Sequence, residues 1–392
     1  MSKSPLRIGI VGSGFAANFH YASYLRQGTK VCVKGCFSHT EEKRKKFAAD
    51  KGIKAFATFD EMLEHVDVVD ICAPGNVHEL YAVESANAGK HVIVEKPFTG
   101  YYGPEDAPAD WRGDKFPKTA MFEKAVESAS KIVGAAEKNK VTLCYAENWV
   151  YAPAIKKEVD ILRASKGQIL WIMGEESHSG SHSPAYGIWR KSGGGSIVGK
   201  GCHPLTAALY LKQVEGIVNT GKPIRPKSVS ARTHSITKSP KFRDAGFLRS
   251  DYYDVEDFCQ LHIVFEDSFV ADIFSNEIVM GGVHNYLEVY ANNHRMRCNI
   301  NPVDACVLYN PKEEQLKDVY LTEKLGTKQG WSFPSPDEDW MTGYPQEIDD
   351  FISAIEMKRE PECGKSLGLD TVSVMYGAYL SAERKGQEVE LS

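Results

Sequence analysis

Short β-branched runs alternate with segments of helical periodicity along the first part of the chain. Leu6–Val11, Val31–Phe37, Val66–Cys72, His91–Val94 and Val141–Tyr145 read as strands. Between them Asn18–Gln27, Glu41–Asp50, Asp60–Glu64, Val77–Ala88 and Thr119–Asn139 read as helices. Such alternation predicts an α/β fold: a doubly wound parallel sheet of Rossmann type with helices on both faces. From about Gln168 the texture changes. Gln168–Gly174, Lys227–His234, Cys259–Phe265, Phe269–Asn276, Asn285–Ala291 and His294–Ile300 follow one another with little helix between, which predicts a large, mostly antiparallel sheet. Gly343–Met357 and Leu369–Arg384 read as closing helices. The boundary is expected near residue 147, with a Rossmann domain over 1–147 and an α+β domain over 148–392. Two loops have the length of insertions, Thr99–Lys118 and Leu325–Thr342.

Composition narrows the function classes. With 392 residues, 42% hydrophobic and 25% charged, the chain is a folded one of about two domains, large enough to need no disulfide or metal staple. A net charge of -5 without a basic block argues against nucleic acid as partner. No apolar run reaches the roughly 18 residues of a membrane helix, and the N-terminus enters a strand without a signal peptide's apolar core. The nine cysteines form no C-x-x-C pair, which suits a reducing cytoplasm and no metal.

Chemistry begins after the first strand. Gly12-Ser13-Gly14-Phe15-Ala16-Ala17 is a G-x-G-x-x-A turn opening a helix. Gly12 makes the tight turn, Gly14 lets backbone approach a pyrophosphate, and Ala17 lets helix and strand pack closely. At the end of the second strand an acidic residue would bind the ribose 2′-hydroxyl of NAD and repel the 2′-phosphate of NADP. Ser38 and His39 stand there instead, and Lys43 and Arg44 are a helical turn away. The preference leans to NAD, with NADP open. After the fourth strand comes Glu95-Lys96-Pro97, which puts a lysine at the carboxyl edge of the sheet, where open α/β sheets bind ligands.

Gly12–Ala17, then Ala73-Pro74 with His78, then Glu95-Lys96-Pro97, then Gly193-Gly194-Gly195 with His203, and the closing stretch from Gly343-Tyr344 to Glu383 occur in that order and spacing. The combination resembles the Gfo/Idh/MocA family of glucose–fructose oxidoreductase and inositol dehydrogenase, and it spans nearly the whole chain. The resemblance implies an N-terminal Rossmann domain and a substrate domain with an open sheet, through which homodimers or homotetramers form. It also implies NAD(P)-dependent oxidation or reduction of a sugar, glycoside or cyclitol. By it, Lys96 hydrogen-bonds the reacting oxygen, His203 is the general acid/base, and Ala73, Pro74, His78, Glu95 and Lys96 lie on the cofactor side. The chemistry is consistent: an imidazole with an unperturbed pKa of about 6.5 suits removal of a hydroxyl proton near neutrality, and an ammonium stabilises the alkoxide.

One departure stands out. Related sequences carry an aspartate four residues before the histidine, where this chain has Gly199 followed by Lys200. The expectation is that Lys200 contacts substrate or that the missing carboxylate leaves room for a larger one. Glu175–His182 reads as a loop after a strand, with His178 and His182 as contacts to substrate hydroxyls; a zinc site there is disfavoured by the Ser/Gly content. Trp189 is placed either as a stacking platform for a sugar or in the core, with Arg190 beside it. Asn148 and Tyr151, leaving the last Rossmann strand, are candidate cofactor and substrate contacts, and Tyr101 and Tyr102 begin the loop after Lys96. The expected partner is a small carbohydrate. Two alternatives remain: transient oxidation on a retained dinucleotide that assists elimination or isomerisation, and a non-catalytic sugar- or dinucleotide-sensing regulator.

Overall fold

A computed structural model describes residues 4–183 and 185–391. The N-terminal elements are β1 (Leu6–Val11), α1 (Phe15–Leu25), β2 (Val31–Phe37), α2 (Glu41–Lys51), β3 (Lys54–Ala55), α3 (Phe59–His65), β4 (Val68–Ile71), α4 (His78–Asn87), β5 (His91–Glu95), α5 (Lys118–Asn139) and β6 (Leu143–Ala146). There follow α6 (Pro153–Ser165), β7 (Ile169–Ser177), α7 (Trp189–Ser192), α8 (Cys202–Thr220), β8 (Pro226–His234), β9 (Phe258–Phe265), β10 (Val270–Asn276), β11 (His284–Ala291) and β12 (Arg295–Asn301). The chain closes with β13 (Leu308–Asn310), β14 (Gly330–Ser332), α9 (Glu338–Thr342), α10 (Tyr344–Met357), α11 (Lys365–Glu383) and β15 (Val389–Glu390).

Two compact units result. The first comprises residues up to Gly100, Glu123–Asn148 and Gly343–Val372. The second comprises Tyr101–Phe122, Trp149–Thr342 and the residues from Ser373 onward. In the first, six parallel strands run in the order β3-β2-β1-β4-β5-β6. The order reverses at β1, and ligands of such sheets bind beyond the strand ends at that point. Both faces of the central strands are covered, so β4 is buried at all four positions. That places Asp70 in the interior, where its carboxylate must be satisfied by protein groups.

In the second unit seven strands run β12-β11-β7-β10-β9-β8-β15, antiparallel except for β7 beside β10. One face is buried, as the alternation along β9 and β10 shows, and α8 lies against β7. The Leu325–Thr342 segment is not structureless: Gly330–Ser332 pairs with Leu308–Asn310, and α9 follows. The Thr99–Lys118 segment is irregular apart from one 3-10 turn at Gly113–Lys115.

Candidate active site

The dinucleotide turn belongs to the first unit. The Gly12 N–H donates to the Phe37 carbonyl at 2.8 Å, and its φ is +120°. A Cβ there would lie 2.5 Å from the Cys72 carbonyl oxygen, so only glycine fits. Around Gly14 the opposite holds, since a Cβ would meet nothing within 4 Å. The first turn of α1 has no side-chain cap and no acidic residue, which leaves its N–H groups and positive end to an anion. Ala17 is buried and Phe15 exposed. These features fit a pyrophosphate lying over Gly14.

At the end of β2, Ser38 Oγ lies 3.3 Å from Ser13 Oγ, and His39 Nε2 is 3.1 Å from the Tyr81 hydroxyl. Arg44 is not a turn away from Ser38 in space. Its guanidinium donates to the Ser38 carbonyl at 2.7 Å and lies over the Phe37 ring. The spacing along α2 hid this contact, because the side chain folds back over the helix N-terminus.

Lys96 follows β5 at the carboxyl edge of the sheet, half-buried. Two contacts fix the backbone around it. Its N–H donates to Glu95 Oε2 at 2.7 Å, and the Pro97 carbonyl lies 2.9 Å from Nδ1 of buried His78. The other His78 nitrogen is 2.8 Å from the Ala73 carbonyl. His78, expected on the cofactor side, thus braces the Pro74 turn against the lysine loop with both ring nitrogens on backbone oxygens. Burial pushes its pKa below the ordinary value. Asn148 lies buried just past β6. Behind the lysine, His20, Asp70 and Cys72 offer ligand atoms within 4.8 Å of one another. A cation has competition there, since His20 and the Cys72 thiol both hydrogen-bond the Asp70 carboxylate.

In the second unit His203 sits in the first turn of α8, mostly buried and stacked on Trp149 with ring centroids 5.8 Å apart. Its Nε2 lies 3.9 Å from Glu176 Oε2. β7 runs on to Ser177, so Glu175 and Glu176 are strand residues and the loop begins at His178. Glu176 thereby supplies a carboxylate near His203 that the residue at 199 does not. Sequence reasoning missed it because the strand was ended three residues early.

A one-turn π-helix, Ile197–Gly201, leads into α8. Glu256 holds its start: Oε1 accepts the Ile197 N–H at 3.0 Å and the Tyr379 hydroxyl at 2.8 Å. Burial, outweighing those bonds, pushes the Glu256 carboxyl up to about 7. Between its ordinary 4.5 and about 7 the folded protein keeps a proton that the unfolded chain has released. Its contribution is fully present below pH 4.5 and is lost as pH rises to about 7, a fall of about 3 kcal/mol. Urea unfolding across that interval should show a flatter pH dependence in Glu256→Gln.

The neighbourhood of Gly199 is not enlarged. A Cβ there would lie 2.5 Å from the Tyr186 ring, which fills the space a longer side chain would need. Nor does Lys200 reach out toward a ligand. It is 1% exposed, forms an ion pair with buried Glu277, and donates to Ser181 Oγ at 3.2 Å. Removing one member of such a pair strands the other charge, at roughly 3–5 kcal/mol. Lys200→Met is therefore expected to lower the urea unfolding free energy by that amount, and Lys200→Met/Glu277→Leu to recover most of it.

Other expected substrate contacts have structural duties. Trp189 is 2% exposed, packs against Tyr379 with ring centroids 4.7 Å apart and donates through its indole N–H to the Tyr101 carbonyl at 2.9 Å. It is a core side chain because Gly113 and the 101–118 segment close over it. Arg190 donates to the carbonyls of Pro104 and Ala107, so it anchors that segment. The Tyr101 N–H donates to the Tyr376 hydroxyl, and the Tyr102 ring lies against Gly193. The inserted segment is a packed part of the second unit. His178 Nδ1 accepts the Gly180 N–H within its own turn, His182 is exposed, and Tyr151 is enclosed in the core.

Residues 6–108 match the family model described as "Oxidoreductase family, NAD-binding Rossmann fold" of the Gfo/Idh/MocA group. An uncharacterised protein of Saccharomyces cerevisiae is 31% identical over 159 residues, 39% of each chain. UDP-N-acetylglucosamine 3-dehydrogenase of Acidithiobacillus ferrooxidans is 33% identical over 94 residues, 24% of this chain and 29% of that enzyme. These matches span about two fifths or less of the relatives' own length. The fold likeness is broader: the structure of GenD2 from gentamicin A biosynthesis, in complex with NAD, aligns with a TM-score of 0.79 at 21% identity over 100% of this chain and 97% of that one. Residues 6–108, which carry the G-x-G-x-x-A turn and the edge lysine, thus match the NAD-binding region of the Gfo/Idh/MocA oxidoreductase family.

Proposed function

We propose that the protein is an NAD(P)-dependent dehydrogenase acting on a secondary hydroxyl of a sugar, glycoside or cyclitol, or on the corresponding ketone. The observation that carries this reading is Lys96, held at the carboxyl edge of the sheet by Glu95 on one side and the His78–Pro97 brace on the other. A bound nicotinamide dinucleotide supplies the hydride acceptor. The rest falls to this chain's residues. The α1 N-terminus and Gly14 hold the pyrophosphate. The Lys96 ammonium donates to the reacting oxygen and stabilises negative charge as it develops. His203 takes the hydroxyl proton on oxidation and returns it on reduction. Glu176 Oε2 lies 3.9 Å from the imidazole Nε2.

The sugar relatives support the substrate class, and the missing acid at the end of β2 leaves both coenzymes to be compared. A panel of sugars, glycosides and inositols assayed with NAD and NADP in parallel tests the reading. Reduced coenzyme formed with at least one cyclic polyol is expected. Turnover without net reduction would point to the recycled-coenzyme reading, and tight binding without turnover to a sensor. Absence of dinucleotide binding would end the proposal.

A further inference from the structure

A buried polar cluster lies behind Lys96, and the mechanism above leaves it unused. His20 on α1 is fully enclosed. Its Nδ1 lies 2.9 Å from Asp70 Oδ2 on β4, and the same carboxylate accepts the Tyr24 hydroxyl at 2.9 Å and faces the Cys72 thiol. On its other side Nε2 lies 3.3 Å from Glu95 Oε1 and 3.9 Å from Glu347 Oε1 on α10. The second Glu95 oxygen accepts the Lys96 N–H. Asp70, His20, Glu95 and Lys96 thus form a continuous line across α1, β4 and β5 to the carboxyl edge of the sheet. Tyr344 completes the surroundings from α10, and Glu147 faces Glu347 from beyond β6.

Burial pushes the Glu347 carboxyl well up, so a proton on the imidazole has Asp70 and Glu95 to face. Three carboxyl groups surround one buried ring, and burying them without a compensating cation is costly. Both ring nitrogens face carboxylate oxygens, which is the arrangement of a double donor.

We propose that His20 is a positioning residue for Lys96: clamped by Asp70, it holds the Glu95 carboxylate against the lysine loop and so sets both the place of the lysine and the negative charge beside it. This rests on Lys96 being the group that meets the reacting oxygen. The electrostatics run in the same direction. Burial pushes Glu95 up, but the His20 imidazole 3.3 Å away, with the Lys96 ammonium, holds it below the ordinary value. His20 stays raised because Asp70 and its neighbours overcome the opposing effect of burial. Without His20, Glu95 loses the cation that favours its charged form, and a negative charge near the lysine is weakened. Lys96 then gives up its own proton at lower pH.

The test is a double-mutant cycle in the full chain, with His20→Gln, Glu95→Gln and both together. Each single change is expected to lower kcat/KM roughly tenfold or more, and to move the alkaline limb of its pH profile down by about one unit. Dinucleotide affinity of His20→Gln, read by calorimetry, should stay within about threefold, because the buried His20 side chain does not belong to the phosphate turn. The double change should match either single one, since His20 acts through Glu95. Additive losses, or an unmoved alkaline limb in folded protein, overturn the proposal. Should His20→Gln fail to fold, Glu95→Gln carries the same prediction for the limb.

A second readout needs no turnover. In protein carrying ¹³C-labelled lysine, the Lys96 Cε signal, assigned by its loss in Lys96→Met, should titrate at lower pH in either variant. An unchanged midpoint overturns the positioning role. Failure of the wild-type protein to turn over any substrate instead counts against the dehydrogenase reading, with the lysine titration still deciding this one.

Discussion

Replacing Lys96 with methionine is expected to lower kcat/KM by roughly 10²–10³ while leaving coenzyme affinity nearly intact. Methionine keeps the length and the apolar stem but removes the ammonium. The loss therefore measures one hydrogen-bond donor to the developing alkoxide, worth roughly 3–4 kcal/mol in a site shielded from water. The protein should remain folded, because the contacts that fix this loop are made by the backbone of Lys96 and Pro97 and survive the change. Steady-state kinetics on the substrate found by the panel, with coenzyme calorimetry alongside, checks both halves. His203→Gln should lose roughly 10²–10⁴ for a different reason, the absence of a group that accepts the proton. Wild-type rates in either variant would remove that residue from the chemistry.

The second large effect is at Gly12. Gly12→Ala forces a side chain onto a backbone at φ +120° and 2.5 Å from the Cys72 carbonyl. Strain of about 1–3 kcal/mol comes from the dihedral alone, and relieving the clash shifts the turn that presents Gly14. Coenzyme affinity should fall by at least about 100-fold, equivalent to about 2.7 kcal/mol, with a lowered melting temperature. Gly14→Ala is the informative partner. A Cβ there meets no protein atom within 4 Å, so the fold should be unaffected. Any loss of affinity in that variant then reports a ligand lying over the residue. Calorimetry with NAD and NADP, beside thermal melts of both variants, separates the two effects.

Local pattern carried the first unit well because parallel strands covered on both faces leave long apolar runs, and the G-x-G-x-x-A turn and Glu95-Lys96-Pro97 sit at their ends. The strands of the second sheet were legible from alternation for the matching reason, one buried face. What escaped depends on tertiary contact. The assignment of Gly343–Val372 to the first unit leaves no mark on the periodicity of α10. Glu176 became visible only when β7 was seen to extend past Gly174 through pairing with β10 and β11. The Tyr186 ring beside Gly199 and the ion pair of Lys200 with Glu277 join residues far apart in the chain. A lone lysine or tryptophan in a sequence gives no sign of whether it faces a ligand or a buried partner. Trp189 and Lys200 both proved to face partners inside the second unit.

The most direct test follows the hydrogen itself. A substrate identified by the panel and deuterated at the reacting carbinol carbon should deliver its deuterium to the recovered reduced coenzyme, one label per ketone formed, with a slowed chemical step. Deuterium released to water, or retained in product with no reduced coenzyme formed, would contradict the account.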